Sequence, residues 1–111
     1  MNKQFFKKLN ATLFKLLKKS GDPLTEKREF THWFYFEKLD DLEKMEQYAF
    51  DIGFHTVTKD TIKQPGKDLQ LIMGIDEKPN LARMDFDYME FYKKAEEYNG
   101  KYDGWETSLE N

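Results

Sequence analysis

The sequence predicts an α+β fold: a ferredoxin-like βαββαβ sandwich with a four-stranded antiparallel sheet, preceded by an N-terminal amphipathic helix. Three observations lead there. The stretch Phe30–Phe36 (Phe-Thr-His-Trp-Phe-Tyr-Phe) holds five aromatic residues in seven, a crowding that favours an extended strand covered on both faces. Two downstream segments carry apolar stripes at helical spacing, Leu42, Met45, Ala49 and Ile52 in one and Leu81, Met84, Tyr88, Phe91, Tyr92, Ala95 and Tyr98 in the other. Gln64-Pro65-Gly66-Lys67 places Pro and Gly at the central positions of a type II turn, between two strand-like runs. The succession after residue 27 is therefore strand, helix, strand, strand, helix, strand. With right-handed crossovers it orders the sheet fourth, first, third, second, with both helices on one face.

The elements follow in order. Residues 1–20 contain six lysines (3, 7, 8, 15, 18 and 19) and no acid. On a helix over 5–19, Phe5, Phe6, Leu9, Leu13, Leu16 and Leu17 gather in an arc of ~120°, opposite the lysines, with Phe14 out of place. Such a helix packs on its own sheet, docks on a protein partner or a second copy, or meets an anionic membrane or nucleic acid. Ser20-Gly21-Asp22-Pro23 ends it. The expected division is a basic helix over 1–20, a linker over 21–27 and the ferredoxin-like domain over 28–111. Alternation puts Phe30, His32, Phe34 and Phe36 on one face of the first strand and Thr31, Trp33 and Tyr35 on the other. Asp40 and Glu43 have the spacing of a capping box, and Gly53 is placed to close that helix in the left-handed conformation. Strands are expected over 54–63 and 68–76, the second facing the helices with Leu69, Leu71, Met73 and Ile75. Pro79-Asn80 opens the next helix, Asn99-Gly100 closes it, and 101–109 supplies the last strand. The outer face of this sheet carries Trp33, Tyr35 and Ile72, and the N-terminal helix is its natural lid.

Composition narrows the function. A chain of 111 residues and 13.4 kDa forms one domain with one core. Beyond residue 20 the balance is 12 basic against 21 acidic residues, which argues against direct binding of nucleic acid by the body of the protein. The absence of cysteine excludes disulfides and thiolate chemistry and fits a cytoplasmic setting. No apolar run reaches the roughly 18–20 residues of a membrane span, and no signal peptide is expected. His32 and His55 lie on different strands without carboxylates at ligand spacing, so no metal and no cofactor are expected. Asp40/Asp41, Asp85/Asp87 and Glu96/Glu97 read as caps and solvated faces rather than acid–base pairs, and no catalytic residue is assigned.

The segment Gly100-Lys101-Tyr102-Asp103-Gly104-Trp105-Glu106-Thr107 breaks the strand pattern at Asp103-Gly104 and follows it at once with tryptophan. Locally this reads as a bulge in which Gly104 permits a bend and Trp105 packs over the neighbouring strand. Tyr-Asp-Gly-Trp in this place resembles the terminal signature of the regulator of ribonuclease activity B (RraB) family. The likeness extends to His32–Phe36, to Asp40-Asp41-Leu42 and to Gly53-Phe54, and covers roughly residues 28–108. The resemblance implies the ferredoxin-like fold and a non-enzymatic bacterial protein that binds ribonuclease E and restrains RNA turnover by contact. The expected partner surface is Tyr102, Asp103, Trp105 and Glu106, joined by Trp33 and Tyr35 if the lid helix leaves, with carboxylates for a basic partner and rings as anchors. The alternative is a peripheral membrane or RNA-associated adaptor acting through Phe5, Phe6, Leu9, Leu13, Leu16 and Leu17, and a homo-oligomer is compatible with either reading.

Overall fold

The computed structural model describes residues 3–19, 21, 26–62 and 68–107. Its elements are α1 (Lys3–Lys19), β1 (Arg28–Phe36), α2 (Leu39–Asp51), β2 (His55–Thr61), β3 (Leu69–Glu77), α3 (Leu81–Glu97) and β4 (Lys101–Thr107). The four strands form one antiparallel sheet in the order β2-β3-β1-β4, the order expected from the sequence. The fold is α+β with three helices, and no described helix is long and apolar enough to cross a membrane.

β1 lies inside the sheet, as its aromatic content demands. Phe30, Phe34 and Phe36 are buried on the helix-facing side, and Phe34 and Phe36 share the core with Leu71 and Met73 of β3. Leu42, Met45 and Ala49 of α2 and Phe91 and Ala95 of α3 close the same core, so both helices cover one face. Phe91 sits at its centre, edge-on to Phe34 at 5.3 Å and to Phe54 at 5.0 Å, geometries that match ring edges to ring faces. Tyr48 on α2 donates a hydrogen bond to Glu90 on α3 at 3.3 Å, tying the helices across their outer seam.

The helix ends follow local chemistry. Asn80 caps α3 by accepting from the Arg83 N–H at 2.9 Å. Both α2 and α3 close with paired Schellman hydrogen bonds. Phe54 and Gly53 donate to Ala49 and Phe50, and Gly100 and Asn99 donate to Ala95 and Glu96. Gly53 (φ +100°) and Asn99 (φ +59°) take the left-handed position. The start of α2 differs from the capping-box reading. It begins at Leu39, after Lys38, with no side-chain cap, and Asp40 and Asp41 instead sit in the first turn against the positive end of the helix. Burial of Leu42 and Met45 sets where this helix begins, and the spacing of Asp40 and Glu43 does not.

A second difference concerns α1. It does not lie over the outer face of the sheet; it packs on α3, on the helix-covered side. The outer face needs little covering, because Ile72 is 7% and Tyr35 9% exposed although no described helix lies over them. Trp33 stands directly across from Ile72, and Gln70 donates to the Tyr35 hydroxyl at 3.4 Å, so long side chains of the sheet shelter its own apolar centre. The turn at 64–67 lies outside the described residues, although Ile62 N–H donates to Asp68 O at 2.8 Å across it, as the hairpin requires.

Candidate functional site

β4 is built around a bulge. Tyr102 stands opposite Phe34 and Trp105 opposite His32, so β4 spends three steps where β1 spends two, and Gly104 at φ +103° absorbs the extra residue. The bulge turns Tyr102 and Trp105 both towards the helices. Asp103 and Glu106 are left exposed on β4, with Glu106 opposite Thr31 on the outer face.

Tyr102 is held from beneath. Its hydroxyl lies 2.7 Å from His32 Nδ1, its ring stacks on the imidazole at 5.9 Å, and Tyr88 meets it edge-on at 4.9 Å. Burial pushes the Tyr102 phenol well above its usual range. His32, 3% exposed, has its pKa pulled down to about 3 by desolvation and by the nearby Arg83 guanidinium. The pair is therefore neutral at physiological pH, and the hydrogen bond joins two uncharged groups.

Trp105 is engaged as well. Its ring tilts against Phe30 at 5.7 Å, and its indole N–H donates to Asn10 Oδ1 at 3.0 Å. The Asn10 amide in turn donates to Asp85 Oδ1 at 3.0 Å, and Asn10 has no exposed surface. One side chain of α1 thus bridges α3 and β4. Nearby, Arg83 Nε lies 2.9 Å from both oxygens of Asp87, which is 3% exposed. Burial raises the Asp87 pKa while the Arg83 hydrogen bond and charge hold it back, and Glu77 is raised by burial and then by Asp87. Only the Asp87 end of this pair is buried, and the i, i+4 spacing of Arg83 and Asp87 on one helix is the one sequence signal for it.

The remaining candidates are more open. Trp33 is half-buried on the outer face, its indole N–H donating to Thr31 Oγ1 at 3.3 Å. His55 meets Glu29 at 2.9 Å on that face, both about half exposed, whereas His32 points into the core on the other. Among the described residues no cluster of three metal-ligating side chains is present. On α1, Leu13 is half-buried, while Leu16 is 53% exposed beside exposed Lys15, Lys18 and Lys19. The side chains of Phe5, Phe6, Leu9 and Leu17 lie outside the described residues. Where α3 ends and β4 begins, an open cleft of about 430 Å³ separates Tyr92 and Glu96 of α3 from Lys101, Tyr102 and Asp103, with Tyr35 of β1 at its side.

A family model described as regulator of ribonuclease activity B matches residues 7–107. A search of curated proteins gave no match. The matched span starts within α1 and ends with β4, and so takes in both Asn10 and Trp105.

Proposed function

The chain belongs to the regulator of ribonuclease activity B family, and from that premise we propose that it regulates by contact: a non-enzymatic, cytoplasmic interaction module that binds and restrains a ribonuclease of the ribonuclease E type. The observation that carries the reading is the match over 7–107, which embraces every described strand and helix of the domain. We take the strand order and the two helices on one face as a ferredoxin-like sandwich, used here as a platform.

Two features support contact rather than chemistry. Three buried polar side chains are engaged by other side chains, His32 by Tyr102, Asp87 by Arg83 and Asn10 by Trp105 and Asp85, which rigidifies the platform. Two of the three exposed residues of β4 are carboxylates, Asp103 and Glu106, beside Lys101, on an acidic body that suits a basic partner. In this reading Asp103 and Glu106 make the charged contacts, and Trp33 and Tyr35 form the aromatic floor beside them. Tyr102 and Trp105 hold the bulge and contribute what remains exposed of their rings. Trp33 requires no departure of α1, because α1 stands on the other side of the sheet.

The test is calorimetric titration of the full chain against the non-catalytic region of ribonuclease E from the same source. Binding is expected, and the Asp103→Asn/Glu106→Gln variant should bind about tenfold more weakly while unfolding at an unchanged urea midpoint. No binding by the full chain overturns the partner. Binding unaffected by the folded double variant overturns the assignment of these two carboxylates.

A further inference from the structure

We propose that the cleft between the end of α3 and the start of β4 is a seat for an arginine side chain of the partner. The proposal rests on the contact reading above and names the group that would anchor it.

The cleft exists because of the way α3 stops. Asn99 takes the left-handed conformation, and Gly100 passes so close to the edge of the Phe36 ring that a Cβ would clash with it. The backbone can therefore turn directly from the last helical turn into β4, and the about 430 Å³ of open space is left beside it. Because β4 is an outer strand of the sheet, the mouth of the cleft is not closed by another strand.

Its lining fits one kind of guest. Three tyrosines line it, with Tyr92 on α3 the more open and Tyr35 and Tyr102 showing only part of their rings, and two exposed carboxylates, Glu96 and Asp103, stand beside one exposed ammonium, Lys101. The balance is one net negative charge next to electron-rich phenol rings. A phosphate or carboxylate would meet two like charges, and an apolar group would strip water from the carboxylates without replacing it. A cation resolves both problems. A guanidinium resolves them better than an ammonium, because it stacks flat on tyrosine while its edge forks to a carboxylate. Tyr92 donates its hydroxyl to Glu96, which orients that carboxylate and leaves further lone pairs for a guest. Lys101 is the one group in the cleft that opposes this use.

The experiment is an amide-resolved NMR titration of the full chain with Nα-acetyl-arginine amide, against the uncharged isostere Nα-acetyl-citrulline amide. Saturable shifts are expected at Glu96, Gly100, Lys101 and Asp103 with arginine and none with citrulline. Glu96→Gln should weaken the effect about fivefold and Lys101→Ala should strengthen it about twofold, since each changes one partly screened charge. Equal responses to arginine and citrulline, shifts scattered over the whole acidic surface, or indifference to both variants would each overturn the seat. A parallel titration of the Glu96→Gln chain with the ribonuclease region separates the two readings. Arginine seated in the cleft with no ribonuclease binding removes the partner and keeps the cleft. Ribonuclease bound equally by Glu96→Gln, with arginine ignoring the cleft, removes the seat and keeps the partner.

Discussion

Asn10 is a polar side chain with no exposed surface, and both ends of its amide are used, one by the Trp105 indole and one by Asp85. Truncation to alanine strands an indole N–H and a carboxylate at a buried seam. The Asn10→Ala chain should lose about 1–3 kcal/mol in urea unfolding, with faster amide exchange along α1. A loss below about 0.5 kcal/mol would mean the bridge contributes nothing beyond a surface contact. His32 makes a prediction about pH. Its pKa is lowered to about 3 from an ordinary value of 6.5, so between those values the unfolded chain binds the proton and the folded chain does not. Stability from this source is complete above about pH 6.5 and is lost as pH falls towards 3. Asp87 and Glu77, whose pKa values burial raises, oppose that trend, because folding binds protons at those sites as pH falls through the raised values. The comparison that isolates His32 is therefore with His32→Gln, whose urea midpoint should fall less steeply between pH 6.5 and 4 than that of the native chain. Neither residue announced its role. Asn10 stands at the margin of the apolar arc, and a lone amide there says nothing of a partner 95 residues away. The opposite holds for Gly104 and Trp105, whose bulge was legible because a glycine beside a large ring in a strand has few other uses.

At the scale of elements, what was local in cause was readable in sequence. Gly53, Asn80 and Asn99-Gly100 marked helix ends through conformations and hydrogen bonds made within a few residues. The placement of α1 was not readable, since an amphipathic pattern states that a face is buried and not against what. The start of α2 was misread for a related reason: tertiary burial of Leu42 and Met45 outweighed a capping pattern. The junction of α3 and β4 offers the sharpest test of element geometry. Gly100→Ala drives a methyl group into the Phe36 ring, which is 1% exposed and packed in the core. It should cost about 1–3 kcal/mol by overpacking. Gly104→Ala meets no crowding, with only Tyr88 at 4.0 Å, yet φ +103° suits glycine alone, so a loss of about 1 kcal/mol or more is expected from backbone strain. The two variants, one just before β4 and one within it, separate space from conformation, and thermal unfolding reads both. A Gly104→Ala chain as stable as the native one would show that the bulge relaxes freely.

Across the whole molecule, charge is segregated. The first 20 residues carry six lysines without an acid, and the rest carries 21 acids against 12 bases. Lys15, Lys18 and Lys19 stay exposed on α1, while the carboxylates of β4 are exposed at the sheet edge. Binding of a basic ribonuclease segment to the acidic part should weaken by about tenfold or more between 50 and 300 mM salt, measured by calorimetry. Salt-independent affinity would place the contact on apolar surface instead. The same docking of α1 has a consequence for the order of events during synthesis. α1 is made before the indole that fixes it, which lies 95 residues later, roughly 5–20 s at elongation rates of about 5–20 residues per second. Until then the lysine-rich segment has α3 but not β4 to pack on. α1 is therefore tied to β4 only after β4 itself has been made, and the newborn chain passes through an interval in which chaperones, membranes and ribosomal RNA compete with Trp105 for it.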